Sequence, residues 1–277
     1  MQAVVLITHI ETEQVWKHFL RLKAESKSHL DAYLCVHVSP DSQAPLGHRT
    51  QADFRVYASD EREYIPGRYR EKVLKGGTIV PGFCDLTYMP VLLNPRLSNY
   101  SHVWIVEYDV DYAGHWDQFF APLADSQADL IGTTFYTKKQ SLDWMWWPSF
   151  EAPAVVSQAQ YIRSFVPIAR FSRRMILQYS EAVRGGEWRG HAEALYPTIA
   201  MHYGLTIEDL GGYGPFTPRS RMGKNYSNTP SDPYLRPGTF TTPPAKYTSY
   251  FHDAPEIFPA PGYLYHPVKV HRAADRS

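Results

Sequence analysis

The sequence of 277 residues predicts an α/β fold, a mixed sheet flanked by helices and followed by a long irregular C-terminal segment. In the first third, apolar strand-like stretches alternate with stretches whose apolar residues recur at helical spacing. A strand, a helix and a second strand in this order imply parallel pairing through a right-handed crossover. Beyond Leu210 neither period continues, and half of the 22 prolines lie there. A segment of this kind is typical of a functional loop or a linker.

The first half of the chain contains five predicted elements. Residues 4–9 are apolar and indicate a strand, and residues 13–25 place apolar side chains at helical spacing. Residues 32–38 indicate a second strand, which ends at the turn signal "SPDS". A third strand is predicted at residues 54–57, followed by a helix at residues 67–74.

The second half begins with the strand that we expect at the centre of the sheet. The apolar run at residues 103–106 is unbroken, as in a strand buried on both faces. Residues 116–123 are predicted to be helical, and residues 129–132 to form a short strand. Ser172 is a predicted N-cap, because an apolar helical pattern follows it.

A last helix is predicted at residues 194–203, with Gly204 as its stop. Proline is best tolerated in the first turn of a helix, where its missing N–H has no partner to lose. Pro197 therefore predicts that this helix starts near Glu193.

Composition excludes some classes of protein. Lys and Arg balance Asp and Glu at 28 each, so no overall field would hold the protein on nucleic acid or an anionic membrane. No apolar run approaches the roughly 20 residues of a transmembrane helix. We therefore expect a cytoplasmic protein. Any association with a membrane is expected to be peripheral, at its inner face. Cys35 and Cys84 lack a nearby partner in sequence and are expected to be buried thiols.

The central strand ends in three acidic residues, Glu107, Asp109 and Asp111, in the stretch "HVWIVEYDVDYAG". Strand alternation would put all three on one face. In open α/β sheets, ligands collect at the carboxyl ends of strands, and Mg²⁺ and Mn²⁺ prefer oxygen ligands. An acid-x-acid pair suits such an ion. The alternative is that the aspartates cap the following turn or helix.

The stretches "EYDVDYAGHW" and "GHAEALYPTIAMHYGL" together resemble a little-characterised bacterial and fungal branch of the GT-A class of nucleotide-sugar-dependent glycosyltransferases. The resemblance covers residues 1 to about 210 and resumes at "YHPVK". It implies a GT-A-like, Rossmann-type mixed sheet in one domain, residues 1–277. Residues 1–115 would bind the nucleotide sugar, residues 116–210 would face the acceptor, and residues 211–277 would add an irregular loop and a closing strand.

The resemblance also implies a metal site for Mn²⁺ or Mg²⁺. Asp109 belongs to both possible acid-x-acid frames and is the firmest ligand, with Asp111 favoured as the second and Glu107 assigned to donor binding. A late histidine, His266, is expected to complete the site, and neutral imidazole suits Mn²⁺ better than Mg²⁺. The alternative for His266 is packing against Tyr263 and Tyr265.

Glu193 is the candidate general base, because an inverting transfer needs a carboxylate to accept the acceptor's hydroxyl proton. The dipole at a helix N-terminus favours the ionised form and would make Glu193 a weaker proton acceptor. The alternative is that Glu193 only complements that dipole. His191 is the reserve base.

Further candidate residues surround this predicted centre. Three tryptophans in "SLDWMWWPSF" offer rings on which an acceptor sugar could stack, although core packing would explain them equally. By the switch-point rule, residues after the first two strands would bind the nucleotide's base and ribose. A diphosphate clamp in the irregular segment is less favoured than a solvated loop. The acceptor-stacking candidates are Trp144, Trp146 and Trp147. The base and ribose candidates are Thr8, His9, Ser39 and Asp41, and the clamp candidates are Arg219, Arg221 and Lys224.

The leading hypothesis is a metal-dependent glycosyltransferase that moves a sugar from a nucleoside diphosphate, UDP-type favoured, to a glycan or glycolipid hydroxyl in bacterial surface glycan assembly. A sugar nucleotidyltransferase is a weaker alternative, because no glycine-rich basic loop follows the first strand. The third hypothesis is a glycan-binding protein without catalysis, in which the acids are structural. Metal-dependent binding of a nucleoside diphosphate would separate this last hypothesis from the first.

Overall fold

A seven-stranded mixed sheet forms the centre of the computed structural model, which describes residues 1–38, 51–75, 82–242, 249–250 and 258–269. The strands of the described residues are β1 Gln2–Thr8, β2 Leu30–Val38, β3 Phe54–Tyr57, β4 His102–Glu107, β5 Asp111–Tyr112, β6 Leu130–Thr137, β7 Ile162–Ser172, β8 Ile207–Asp209, β9 Ser249–Tyr250, β10 Leu264–Tyr265 and β11 Val268–Lys269. The sheet order is β3-β2-β1-β4-β7-β6-β8. The pairs β1–β2, β2–β3, β1–β4 and β6–β8 are parallel, while β7 runs antiparallel to β4 and β6.

Helices cover both faces of this sheet. They are α1 Glu13–Ser26, α2 Ala58–Tyr64, α3 Pro66–Leu74, α4 Cys84–Leu92, α5 Trp116–Phe120, α6 Arg173–Arg184 and α7 Ala192–His202. Alternation along β1 divides the core in two: Val5 packs with α4, α6 and α7, whereas Val4 packs with α1 and α5. None of the helices in these ranges is long and apolar enough to cross a membrane.

The predicted α/β fold and its first elements are confirmed. The β1–α1–β2 unit is parallel, and β4 lies fourth of the seven strands, at the centre of the sheet. Two longer elements went unpredicted, the strand β7 and the helix α4. All eleven residues of β7 are buried, so the strand shows no alternation of apolar and polar residues. In α4, Pro90 lies inside a helix that is buried almost all round.

The helix α7 begins one residue before the predicted start, with His191 as its N-cap. Pro197, however, is its sixth residue, so the premise that this proline lies in the first turn was wrong. Proline cannot donate the helical hydrogen bond to the carbonyl four residues earlier, which belongs to Glu193. The hydroxyl of Ser164 donates to that carbonyl instead, at 2.7 Å. The proline thus leads to a direct bond between α7 and β7 beside Glu193.

The segment after Leu210 is irregular, as predicted, with short strands among its described residues. Its last described part returns to the end of β4. The strand β10 pairs antiparallel with β5, and the backbone N–H of Val268 donates to the carbonyl of Asp109 at 2.8 Å. The closing strand therefore lies against the acidic stretch that follows β4.

Candidate functional site

A cavity of about 510 Å³ lies at the carboxyl ends of β1 and β4. It brings together most of the residues that the sequence singled out. These are Thr8, His9, Glu107, Asp109, Trp144, Trp146, His191, Glu193 and His266. Residues from the two halves of the chain and from the closing strand thus surround one space.

The carboxylate of Asp111 lies elsewhere, which corrects the expectation that the three acids share one face. The strand β4 ends at Glu107, and the N–H of Val110 closes a turn onto its carbonyl at 3.0 Å, so alternation stops there. Asp111 faces α1 and accepts from Arg21 Nη1 at 2.9 and 3.2 Å. This buried ion pair fastens α1 to the turn, and Asp111 is not among the residues that line the cavity.

Asp109 faces the cavity and has one oxygen without a hydrogen-bond partner in the described part of the chain. The side chain is buried, and Oδ2 accepts from the Lys269 ammonium. Oδ1 has no donor and lies 3.6 Å from His266 Nε2. A buried carboxylate oxygen left in this state costs free energy unless a proton or a cation approaches it.

The tautomer of His266 makes this arrangement specific. Nδ1 lies 2.6 Å from the carbonyl of Thr241, which can only accept, so the proton is on Nδ1. Burial lowers the pKa of His266, so the ring is neutral and Nε2 presents a lone pair to Asp109 Oδ1. The rings that contact His266 are Phe165 and Phe240, not the predicted tyrosines.

Glu107 lies with these two residues rather than apart as a donor-binding group. Ligand atoms of Glu107, Asp109 and His266 all lie within 4.8 Å of one another. Tyr88 donates to Glu107 Oε1 at 2.6 Å. Burial, with repulsion from Asp109, raises the pKa of Glu107 to about 7. Two oxygen ligands and one imidazole nitrogen are a donor set that suits Mn²⁺.

Glu193 occupies the second position of α7 and lines the same cavity. The N–H of Val166 donates to Oε1 at 3.4 Å, a weak hydrogen bond. Burial nonetheless raises the pKa of Glu193 to about 8. The expectation that the helix dipole keeps this carboxyl ionised is therefore corrected: loss of hydration outweighs the dipole and favours the protonated form.

His191 is a weak candidate for the reserve base. Its Nδ1 accepts from the backbone N–H of Glu193 at 3.4 Å as the helix cap. The ring packs against those of Trp144 and Trp146, with centroids 5.3 and 5.0 Å away, and a side chain at Gly82 would clash with it. Burial lowers the pKa of His191 to about 3. This histidine therefore orients the start of α7 and the two indole rings.

The three tryptophans divide into two groups. Trp144 and Trp146 line the cavity. Trp147 is turned away: its indole N–H donates to the carbonyl of Ser141 at 2.7 Å, and its ring packs against Phe150. Trp147 thus takes the core role that the sequence left open, and the acceptor role remains possible for the other two.

On the donor side, Thr8 and His9 line the cavity, while Ser39 and Asp41 lie outside the described residues. Thr8 Oγ1 donates to the carbonyl of Ile10 at 2.6 Å, which shapes the turn after β1. Arg219, Arg221 and Lys224 are not among the lining residues, and Arg221 pairs with Glu208. Arg219 and Lys224 are exposed, in agreement with the solvated-loop interpretation, whereas the side chain of Arg221 is largely buried in this ion pair.

Two cations of the cavity, Lys269 and Arg163, went unrecognised in the sequence. Lys269 follows His266 by three residues, so the stretch "HPVK" contained a usable signal. Arg163 belongs to β7, the strand without a readable period, and nothing in the sequence marks it. Together they supply the positive charge that an anionic ligand would need.

No protein-family model matches the chain, and no curated protein is significantly similar to it. The chemistry of the site is therefore argued from its geometry. The cavity offers a candidate cation site, a protonatable carboxyl and two partly buried indole rings in its wall. This combination suits binding a phosphorylated ligand and transferring a proton beside it.

Proposed function

We propose that this protein is a metal-dependent glycosyltransferase of the GT-A class, which moves a sugar from a nucleoside diphosphate to a hydroxyl acceptor. One observation carries the proposal: Asp109 Oδ1 and the unprotonated Nε2 of His266 face each other at 3.6 Å with no hydrogen between them. A divalent cation bound by both would remove that mismatch. The site lies at the strand ends where α/β sheets commonly bind nucleotides.

Asp109 and His266 would hold the ion, with Glu107 as a third ligand or as an acceptor for a coordinated water. Their ligand atoms lie within 4.8 Å of one another, and two carboxylates with one imidazole would supply a donor set suited to Mn²⁺. When bound, the ion would neutralise charge on the departing diphosphate as a Lewis acid.

Lys269 would serve the diphosphate as well. Its ammonium now pairs with Asp109 Oδ2 and lines the cavity. If Asp109 served as a metal ligand, the Lys269 ammonium would be available to a phosphate oxygen of the donor. Thr8 and His9, at the end of β1, lie where the nucleoside of a UDP-type donor would be held.

Glu193 would accept the proton of the attacking hydroxyl in an inverting transfer. Its raised pKa makes it a strong base once ionised, and the charge of Glu107 is one cause of that rise. Neutralising Glu107 by a cation would lower the pKa of Glu193 towards neutral pH, where a general base works best. Trp144 and Trp146 would support the acceptor's sugar ring.

A glycan-binding protein without catalysis is the second candidate. It is favoured by one observation: the ammonium of Lys269 already compensates part of the charge of Asp109. In that case the two indole rings would bind sugar and no divalent ion would be needed.

A thermal-shift titration separates these functions. The protein is mixed with UDP, GDP or ADP in Mn²⁺, in Mg²⁺ or in EDTA. Under the proposal, one nucleotide raises the melting temperature only when a divalent ion is present. At a hundredfold excess over Kd, this corresponds to a gain of about 2.7 kcal/mol in the apparent free energy of unfolding. The absence of any metal-dependent shift would refute the transferase and leave the glycan-binding protein.

A further inference from the structure

Arg163 is a buried cation in the wall of the cavity with few hydrogen-bond partners. Its side chain is about 3% exposed, and it lies on β7 opposite Tyr136 of β6. Nη2 donates to the carbonyl of Pro230 at 2.6 Å, and Nε is buried without a partner. No carboxylate of the residues that the structure describes forms an ion pair with it.

Among the described residues two other arginines are buried, and each has more hydrogen-bond partners than Arg163, although Arg170 Nε is also without a partner. Arg68 donates to both oxygens of Asp85, at 2.8 and 3.1 Å, and also pairs with Glu71. Arg170 donates to three backbone carbonyls at 2.6 to 3.3 Å. Neither lines the cavity, whereas Arg163 does. The under-compensated guanidinium is thus the one that a ligand can reach.

Arg163 remains charged at neutral pH. Burial lowers its pKa to about 10, which is still far above neutrality. Glu193 is the acid with the largest electrostatic effect on Arg163, but no hydrogen bond or ion pair joins the two side chains among the described residues. A buried guanidinium with open donors is a costly arrangement that an anion would relieve, and its planar fork matches a carboxylate or a phosphate.

The position of Arg163 indicates which of the two bound molecules, the donor or the acceptor, it would contact. Arg163 precedes Ser164, whose hydroxyl holds the Glu193 carbonyl, and it acts electrostatically on Glu193. Lys269 is the cation that acts on Glu107 and His266. The cavity therefore has one cation beside the candidate metal site and a second beside the candidate base.

We propose that Arg163 binds a carboxylate or phosphate group of the acceptor, so that the sugar is transferred to an acidic acceptor molecule. This assignment rests on the proposed function, because it takes the molecule beside Glu193 to be the acceptor. The anion fixes that molecule while its hydroxyl approaches Glu193. A neutral acceptor would leave the guanidinium donors unpaired and would bind more weakly.

Paired titrations of the full-length protein test the assignment. Methyl glucuronide is compared with methyl glucoside, and glucose 6-phosphate with glucose, both without nucleotide and with saturating UDP and Mn²⁺. The proteins are the wild type, Arg163→Met, Arg163→Lys and, as a control, Arg184→Met, which alters an exposed arginine of α6.

The wild type and Arg184→Met should bind at least one acidic sugar roughly ten- to a hundredfold more tightly than its neutral counterpart, the usual effect of a charged hydrogen bond. Arg163→Met should lose this preference and Arg163→Lys should keep part of it, with UDP–Mn²⁺ affinity within about twofold of wild type. That unchanged affinity also verifies the fold of the variant.

Three results would overturn the assignment. One is a wild type that binds acidic and neutral sugars equally. Another is a preference that survives in Arg163→Met. The third is a loss of UDP–Mn²⁺ affinity of tenfold or more in a folded Arg163→Met, which would give Arg163 to the donor diphosphate. A preference for acidic sugars without any nucleotide binding would refute the transferase and keep the anion site, so the two failures are distinguishable.

Discussion

Asp109 and Asp111 lie two residues apart after the same strand, and both are buried, but their surroundings are opposite. Asp111 receives two hydrogen bonds from Arg21 and one from the N–H of Tyr112. Asp109 receives the Lys269 ammonium on one oxygen, and no donor from the described residues reaches the other. Two equally buried carboxylates can therefore differ in how many of their lone pairs are satisfied, and the proposed metal site uses the one that is less satisfied.

The same contrast separates the acids of the cavity from those of the scaffold. Burial acts to raise the pKa of Asp129, but hydrogen bonds from Arg174, Thr206 and Ser172 lower it to about 2. The Glu193 side chain is partly buried and has a single, weak donor among the described residues, and loss of hydration raises its pKa to about 8. The scaffold stabilises its carboxylates as anions, and the cavity leaves its own in need of a proton or a cation.

The largest expected effect is on catalysis by Glu193→Gln. The amide keeps the shape of the side chain but cannot accept a proton, so transfer should fall by roughly two to four orders of magnitude. Release of the nucleoside diphosphate from a nucleotide sugar provides the assay, and affinity for the nucleotide with Mn²⁺ should persist. Glu181→Gln on the surface of α6 is the matched control. Wild-type turnover in Glu193→Gln would remove this residue from the mechanism.

A matched pair, Asp109→Asn and Asp111→Asn, tests the contrast at the end of β4. Asp109→Asn should weaken Mn²⁺-dependent nucleotide binding by at least about a hundredfold, because a charged ligand is lost. Asp111→Asn should keep that binding but lower the free energy of unfolding by about 2 to 4 kcal/mol, because Arg21 loses its ion pair with a buried carboxylate and retains the longer one with Glu25. Calorimetric titration and urea unfolding measure the two quantities. Equal loss of metal affinity in both variants would show that Asp109 and Asp111 do not differ in their contribution to metal binding.

His266→Ala should have a smaller effect on the metal than Asp109→Asn. It removes a neutral ligand that water can replace, so Mn²⁺ affinity should fall by about tenfold. Isothermal titration with Mn²⁺ gives the affinity, and a melting curve gives the stability. Unchanged affinity with a large drop in melting temperature would show that His266 only packs against Phe165 and Phe240.

The smallest effect concerns pH and stability. Between pH 4.5, the ordinary pKa of a glutamate, and about 8, folded Glu193 keeps a proton that the unfolded chain releases. Stability should therefore fall as pH rises through this window, by at most about 1.4 kcal/mol per pH unit from this group. Urea unfolding in EDTA should show a shallower fall for Glu193→Gln than for wild type. Parallel curves would mean that the carboxyl is already ionised at neutral pH.

Much of the fold could be read from the sequence because its first elements have clear periods. Alternation and helical spacing identified β1, α1 and β2. The apolar helical pattern after Ser172 marked this residue as a cap, and in the structure its hydroxyl accepts from the N–H of Met175. The strand β7 was not recognised, since Arg163, Pro167 and Arg170 interrupt its apolar run although all three are buried in the structure. Arg163 was not recognised as a candidate residue for the same reason, because it lies on β7.

The candidate site was only partly predictable, because its distinguishing features are contacts between distant segments. Asp109 was chosen correctly as a cavity residue from its place after β4, but Asp111 was grouped with it by an alternation that the turn at Val110 interrupts. The pKa of Glu193 depends on burial, which the position in the helix does not show. Trp147 and Trp146 are adjacent in sequence and differ only in which way they face.

The return of the closing strand to β4 has a consequence for the order of folding. Asp109 and Lys269 are 160 positions apart, and β10 pairs with β5 over a similar span. Closing so long a loop costs chain entropy before its contacts form, so the sheet can assemble first and residues 264–269 dock afterwards. A cation bound by both Asp109 and His266 would stabilise the docked position of residues 264–269. Binding of Mn²⁺ and docking of this segment should then favour each other, so that removal of the ion by a chelator exposes the segment to proteases.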